Sequence, residues 1–148
     1  LTSSVAGPIG GWLSDHLSAR YGKRIGRCGL SFISMSLTGI LVIIGAAVAD
    51  PVLAVVFLSL SIGSLFLCVS SFWAVTIDLT RTYAGTASGL MNMGGNLGGT
   101  ISPSMTPYLF QKYDWETALF VMGLLAFVGA LCWLGIHPER EIDFATQS

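Results

Sequence analysis

Charged side chains are scarce in this sequence: they make up 10% of its 148 residues, against about 25% in ordinary soluble domains. Hydrophobic residues make up 53%, and the mean hydropathy is +0.73. Four stretches contain no charge at all, and each can cross a hydrocarbon core of about 30 Å at about 1.5 Å per residue. A soluble domain could not bury so much apolar surface, so the sequence predicts an all-α integral membrane protein. The charge-free stretches are 28–49, 51–77, 82–111 and 117–136.

The sequence also lacks the residues that several kinds of site require. It has seven basic residues and a net charge of −1, which leaves no basic face for nucleic acid. Its three cysteines, Cys28, Cys68 and Cys132, are odd in number and far apart, which indicates small buried hydrophobes rather than a disulfide framework. His16 and His137 stand alone, without metal-ligand spacing. We therefore predict no nucleic-acid partner, metal, cofactor or catalytic site.

The charge-free runs divide the chain into helical segments joined by short connections. No initiator methionine and no basic stretch precede the first apolar segment, so we expect it to be the end of a helix whose beginning is missing, not a signal peptide. The sequence thus predicts a partial helical bundle over 1–136, followed by a polar tail over 137–148. The predicted helices are 1–13, 28–49, 52–75, 84–109 and 116–136.

Basic residues predict how these helices are oriented in the membrane. Loops on the cytoplasmic side carry an excess of Lys and Arg. The first connection, the third connection and the tail hold six of the seven basic residues, and only Lys112 lies in the fourth connection. We therefore expect a cytoplasmic carboxyl terminus in an inner (plasma) membrane. The six are Arg20, Lys23, Arg24, Arg27, Arg81 and Arg140.

A short motif lies in the first connection. The sequence Gly-Trp-Leu-Ser-Asp over 11–15 is followed by Tyr-Gly-Lys-Arg over 21–24. This pattern resembles the cytoplasmic loop signature of the major facilitator superfamily, which joins the second and third helices and recurs in weaker form between the eighth and ninth. Four helices follow it here, which fits the second copy. The extended loop that inserts 16–19 before the first arginine resembles the anion:cation symporter branch of that family.

The motif also has a physical interpretation. Gly11 would let two helices approach closely. Asp15 could sit at a helix end and pair with Arg20, Arg24 or Arg27, and such a clamp would favour one conformation of a moving bundle. Alternatively, Asp15 merely caps a helix while the basic residues follow the positive-inside rule, and the two interpretations are compatible.

A second resemblance covers the stretch from 72 to 99. Its segments 72–78, 81–89 and 91–99 are similar to the tenth helix, cytoplasmic turn and eleventh helix of anion:cation symporters, which include bacterial permeases for sugar acids and other organic anions. The resemblance implies a major facilitator fold, with this piece beginning near the eighth helix. It also implies that the eleventh helix lies beside the central cavity.

The glycines of the predicted eleventh helix form two GxxxG pairs. Glycine costs about 1 kcal/mol relative to alanine inside a helix, so this density implies close helix packing or a bend. Pro103 and Pro107 interrupt the same helix near its outer end, as in the broken helices that frame transporter sites. The predicted packing glycines are Gly85, Gly89, Gly95 and Gly99.

Asn92 and Asn96 are spaced four residues apart, so they lie on nearly the same side of this helix, about 40° apart. A carboxamide in hydrocarbon needs hydrogen-bond partners, which a neighbouring helix or a substrate oxygen can supply. We predict substrate contact for both, with Asn96 the stronger candidate and interhelical bonding the alternative. Ser71, Trp73 and Thr76 could line the opposite wall, although Ser and Thr in membrane helices often bond their own backbone.

Together these observations predict a secondary transporter that moves small organic anions, such as sugar acids, with a proton or cation by alternating access. Its partners would be the lipid bilayer and the missing amino-terminal half. Because no ionisable residue lies deep in a predicted helix, the coupling carboxylate is expected in that half, although Asp78 is an alternative. Other possibilities are an exporter of drugs or neutral or cationic solutes, and a membrane enzyme or scaffold, which would need a polar catalytic cluster.

Overall fold

The structure, a computed structural model, describes residues 2–79 and 83–138, and the side chains from Val5 onward within those ranges. The described part is helical, with no strand, which confirms the predicted all-α class. A π-helical turn over Arg24–Gly29, called the π-turn below, leads directly into the second helix. The helices are α1 (Thr2–Tyr21), α2 (Leu30–Ala47), α3 (Pro51–Leu79), α4 (Ala84–Lys112) and α5 (Trp115–Leu134).

Within residues 2–79 and 83–138, three helical segments are long and apolar enough to cross a membrane. They are Arg24–Ala47, Pro51–Leu79 and Trp115–Leu134. The predicted crossing over 84–109 is not among them, although α4 is as long as α3 at 29 residues. The reason is compositional, because glycine, asparagine, serine and proline replace aliphatic residues along α4.

Two predicted boundaries need correction. The first helix continues to Tyr21 rather than ending at residue 13, so Asp15 lies inside α1 and not at a helix end. The chain turns at Gly22, whose φ of 90° is a left-handed conformation that favours glycine. The third helix continues to Leu79 rather than 75, which places Asp78 in its last turn. Arg81, Arg140 and the predicted tail beyond residue 138 lie outside the described residues.

The core of the bundle is formed by α1, α2, α3 and α5. Helix α3 packs against both α1 and α2, and α5 packs against α2. Cys28, Val75 and Trp133 form a buried cluster at one end, where Phe72 meets Trp133 edge-on at 4.8 Å between ring centroids. Helix α4 touches α3 and α5 more sparsely and has no buried residue.

Glycines let the packed helices approach at close range. A Cβ atom at Gly10 would lie 2.3 Å from the carbonyl oxygen of Leu67, so α1 and α3 are in backbone contact there. A Cβ atom at Gly39 would lie 2.9 Å from the carbonyl oxygen of Gly123, so α2 and α5 are also in close contact. The sequence pattern predicts this role for Gly11, but the structure assigns it to the preceding residue, Gly10. A Cβ atom at Gly11 would meet only a side-chain carbon, at an ordinary 3.7 Å.

Small hydroxyl side chains fill the remaining space between α1, α2 and α3. Ser64 donates a hydrogen bond across the helices to the backbone oxygen of Ser34 at 2.9 Å, and Thr38 donates to the same oxygen at 2.8 Å. Ser71 donates to the hydroxyl oxygen of Ser14 at 3.1 Å. These bonds satisfy buried polar groups in an apolar surrounding, where an unpaired hydroxyl is costly.

Candidate functional site

A polar stripe runs along the open side of α4. Asn92 and Asn96 are both exposed, one helical turn apart, and Thr100 continues the stripe by another turn. The hydroxyl of Thr100 donates to the backbone oxygen of Asn96 at 2.9 Å. A shallow groove follows the stripe and is formed by α4 alone. Its walls are Gly89, Asn92, Met93, Asn96, Leu97 and Thr100.

The glycines of α4 are likewise not covered by another described helix. A Cβ atom at any of the four predicted packing glycines would meet no atom within 4 Å, so none of the described residues packs on them. This contrasts with Gly10 and Gly39, which the other helices cover. The described chain therefore leaves a small, polar helix face without a neighbour. The four open glycines are Gly85, Gly89, Gly95 and Gly99.

Ser71, predicted to line the substrate path, lies elsewhere. Its side chain is completely buried and hydrogen-bonded to Ser14 of α1. It therefore faces the contact between α1 and α3, away from the groove on α4. The structure corrects this prediction: Ser71 stabilises helix packing.

Trp73 and Thr76 do not border the α4 groove either. Trp73 is exposed on α3. The hydroxyl of Thr76 donates to the backbone oxygen of Phe72 at 2.8 Å, as threonines in membrane helices often do, and contacts the sulfur of Met91 at 3.2 Å. Thr76 thus joins α3 to α4 beside a cavity that Met35 and Cys132 also line.

A cluster of one acidic and two basic side chains lies at the end of the bundle that carries the π-turn. The carboxylate of Asp78 accepts hydrogen bonds from Lys23 Nζ, at 3.1 Å, and from Arg27 Nη1. Arg27 Nη1 also donates to the backbone oxygen of Ala74 at 2.7 Å. The Arg27 and Asp78 side chains are only 15% and 11% exposed, whereas Lys23 is 44% exposed. The pair of Arg27 and Asp78 is therefore largely withdrawn from water, and Lys23 covers it.

The prediction paired Asp15 with Arg20, Arg24 or Arg27, but of these bases only Arg27 forms an ion pair among the described residues, and its acid is Asp78. Asp15 is exposed and makes no ion pair within residues 2–79 and 83–138. Arg20 lies over the ring of Tyr21 at 5.7 Å, and Arg24 is exposed. One sequence signal does point to Asp78: the third helix ends beside it, and topology brings that end back to the first connection.

Metal chemistry finds no support in the described ranges. No group of three or more His, Cys, Asp or Glu residues there could hold a metal ion. The titratable residues that do cluster are one carboxylate and two cations, which form ion pairs at a helix end.

Comparison with known proteins adds the family context. The sequence model of the Major Facilitator Superfamily matches residues 1–147. A probable sulfoacetate transporter of Cupriavidus necator is 34% identical over 141 residues, which are 94% of this chain and 33% of that protein. A D-galactonate transporter of Escherichia coli is 28% identical over 137 residues, covering 90% of this chain and 31% of that protein. A galacturonate transporter of Dickeya chrysanthemi is 32% identical over 63 residues, covering 41% and 18% respectively. The chain thus spans about a third or less of these relatives.

Proposed function

Because this chain belongs to the major facilitator superfamily, and is a transporter fragment rather than an enzyme, we propose that its full-length protein carries small organic anions by symport with a proton or another cation. The observation that carries the proposal is the match over 94% of the chain to a probable sulfoacetate transporter, together with the galactonate and galacturonate transporters. These named substrates share a small size and an anionic carboxylate or sulfonate group.

The open face of α4 is the proposed wall of the substrate path. A carboxamide offers two N–H donors and one oxygen acceptor, which suits a ligand that carries both an anionic group and hydroxyls. Asn92 and Asn96 present such groups from one exposed stripe. The opposite wall would come from the rest of the longer protein, and its helices would also cover the open glycines of α4. The substrate would then bind between two helical halves that rock around it.

The cluster around Asp78 has a mechanical role in this scheme. It joins the π-turn to the end of α3, so the ends of the helices move together rather than separately. Alternating access by rigid-body rocking requires such internal stiffness within each half. Asp15 is exposed and remains the acid available for a state-dependent contact with the other half. Gly11, Arg20 and Arg24 have no partner in the described residues that would make them part of this clamp.

The coupling site lies outside this chain in our proposal. Helices α2 to α5 carry no Asp, Glu, Lys, Arg or His in their central turns, and Asp78 is already paired at a helix end. The carboxylate that takes up the proton, and the basic side chain that binds the negative charge of the substrate, would therefore belong to the amino-terminal half. In the same proposal, the full-length protein lies in the inner (plasma) membrane, and its carboxyl terminus faces the cytoplasm.

Uptake into proteoliposomes tests this function. The full-length protein, given labelled galacturonate outside, should accumulate it above the external concentration when an inward proton gradient is imposed. A sodium gradient in a parallel sample identifies the coupling ion, and sulfoacetate competition tests the breadth of the anion site. If no carboxylate or sulfonate enters while a cationic drug is moved, the organic-anion assignment is wrong and the exporter alternative replaces it.

Replacing Asn96 with alanine should reduce galacturonate uptake by about tenfold or more at subsaturating concentration. The reason is that a hydrogen bond to a charged group contributes about 1.5–3 kcal/mol, and about 1.4 kcal/mol corresponds to tenfold. Ser71→Ala is the control, because this side chain is buried against Ser14 and should not affect uptake. Unchanged uptake by Asn96→Ala, at equal amounts of folded protein, would remove Asn96 from the substrate path.

A further inference from the structure

The last turn of α1 and the connection to α2 together hold four basic residues, which divide into two pairs with different surroundings. Lys23 and Arg27 both pair with Asp78. Arg20 and Arg24 are exposed, and neither has an acidic partner within residues 2–79 and 83–138. The contact of Arg20 with the ring of Tyr21 leaves its N–H donors available. Two guanidinium groups thus remain uncompensated at one end of the bundle.

The turn that carries these arginines is fixed by close packing. The amide of Gly22 donates to the backbone oxygen of Ser18 at 3.1 Å, and the amide of Gly26 donates to the backbone oxygen of Gly22 at 3.0 Å. A Cβ atom at Gly26 would lie 2.2 Å from the backbone nitrogen of Ser18, so the π-turn lies directly on α1. Arg20 lies in the last turn of α1, and Arg24 is the first residue of the π-turn. The packing therefore fixes the backbone that carries both arginines before any ligand arrives.

The same turn exposes apolar side chains. Tyr21 is 55% exposed and Ile25 is 61% exposed. The π-turn and α2 form one segment, Arg24–Ala47, that is long and apolar enough to cross a membrane, so we expect the arginines at the boundary between the hydrocarbon region and the headgroups. Cations beside exposed apolar groups at this depth match a lipid, which presents a phosphate and an acyl chain at the same place.

We infer that Arg20 and Arg24 bind the phosphodiester headgroup of an anionic phospholipid, with Tyr21 and Ile25 against its acyl chain. The guanidinium fork matches phosphate oxygens in geometry as well as charge. A soluble phosphate offers the same anion, but it would gain nothing from the exposed apolar residues. This lipid site is separate from the substrate groove on α4 and does not depend on which anion is transported.

Native mass spectrometry of the full-length protein tests the inference. The purified protein is incubated with equimolar phosphatidylglycerol and phosphatidylcholine, and the retained lipids are counted. The parent should retain phosphatidylglycerol preferentially. In the Arg20→Gln/Arg24→Gln variant the preference should fall by roughly fivefold for each arginine removed, because a basic residue near an anionic membrane contributes about 1 kcal/mol. The Arg20→Lys/Arg24→Lys variant keeps both charges and should retain most of the preference.

Controls distinguish the site from general charge effects. Lys112→Gln removes a cation from the end of α4 and should leave the preference unchanged. Excess inorganic phosphate should not displace phosphatidylglycerol, and displacement would show that the arginines bind a soluble anion instead. Equal retention of the two lipids by the parent, or an undiminished preference in the double glutamine variant, overturns the inference. If that double variant does not fold, the single variants Arg20→Gln and Arg24→Gln are compared in the same way.

Discussion

Replacing Asp78 with asparagine should destabilise the full-length protein strongly, whereas the same replacement at Asp15 should leave its stability close to that of the parent. Asp78 is the counter-charge of Arg27, and both side chains are largely buried. Without the carboxylate, the guanidinium of Arg27 keeps only the backbone oxygen of Ala74 as a partner. Removing one member of a buried ion pair costs about 3–5 kcal/mol, because the other charge is left uncompensated.

Thermal unfolding in detergent, followed by intrinsic fluorescence, checks this expectation. The melting temperature of Asp78→Asn should lie well below that of the parent. The melting temperature of Asp15→Asn should equal that of the parent, since Asp15 is exposed and has no ion-pair partner in the described chain. The two variants make the same chemical change, so the comparison isolates the surroundings of each acid. If Asp15→Asn were the destabilising variant, Asp15 would be the acid that pairs with the basic residues, and the role we give to Asp78 would be wrong.

Replacing Gly10 with alanine should loosen the contact between α1 and α3. The added methyl group would lie 2.3 Å from the carbonyl oxygen of Leu67 and 2.7 Å from its Cα, and backbone cannot rotate away as a side chain can. The helices must therefore separate, which also lengthens the hydrogen bond between Ser14 and Ser71. Overpacking of this kind costs about 1–3 kcal/mol.

The neighbouring Gly11 provides a matched control for this prediction. Gly11→Ala introduces the same methyl group, which would meet only the Cβ atom of Ser70 at 3.7 Å. This variant should be as stable as the parent or slightly more so, because alanine is the better helix former. Both variants are compared by thermal unfolding. Equal melting of the two would contradict the close approach at Gly10.

Several features of the fold could be read from composition and spacing. Charge-free runs predicted an all-α membrane bundle, because a membrane-crossing helix must exclude charge over a fixed length whatever surrounds it. The ends of the helices were less predictable. The first helix continues past Asp15 to Tyr21, because polar residues can extend a helix beyond the hydrocarbon region and hydropathy does not register them.

The candidate site was predictable to the extent that it lies on one helix. The spacing of Asn92 and Asn96 predicted a shared stripe, and both are exposed on α4, while their contact with substrate stays a prediction. Ser71 could not be placed in this way. Its rotation on α3 depends on the position of Ser14 in α1, and nothing near Ser71 in the sequence reports that position.

The sequence by itself determined the membrane class, the succession of apolar helices and the polar stripe on α4, since these follow from length, charge and helical period within single segments. Tertiary structure alone decided that Asp78 pairs with Arg27, and that Gly10 rather than Gly11 is in backbone contact with α3. Both are contacts between segments far apart in the chain. They depend on the rotation and height at which two helices pack, and only the packed bundle fixes those two quantities.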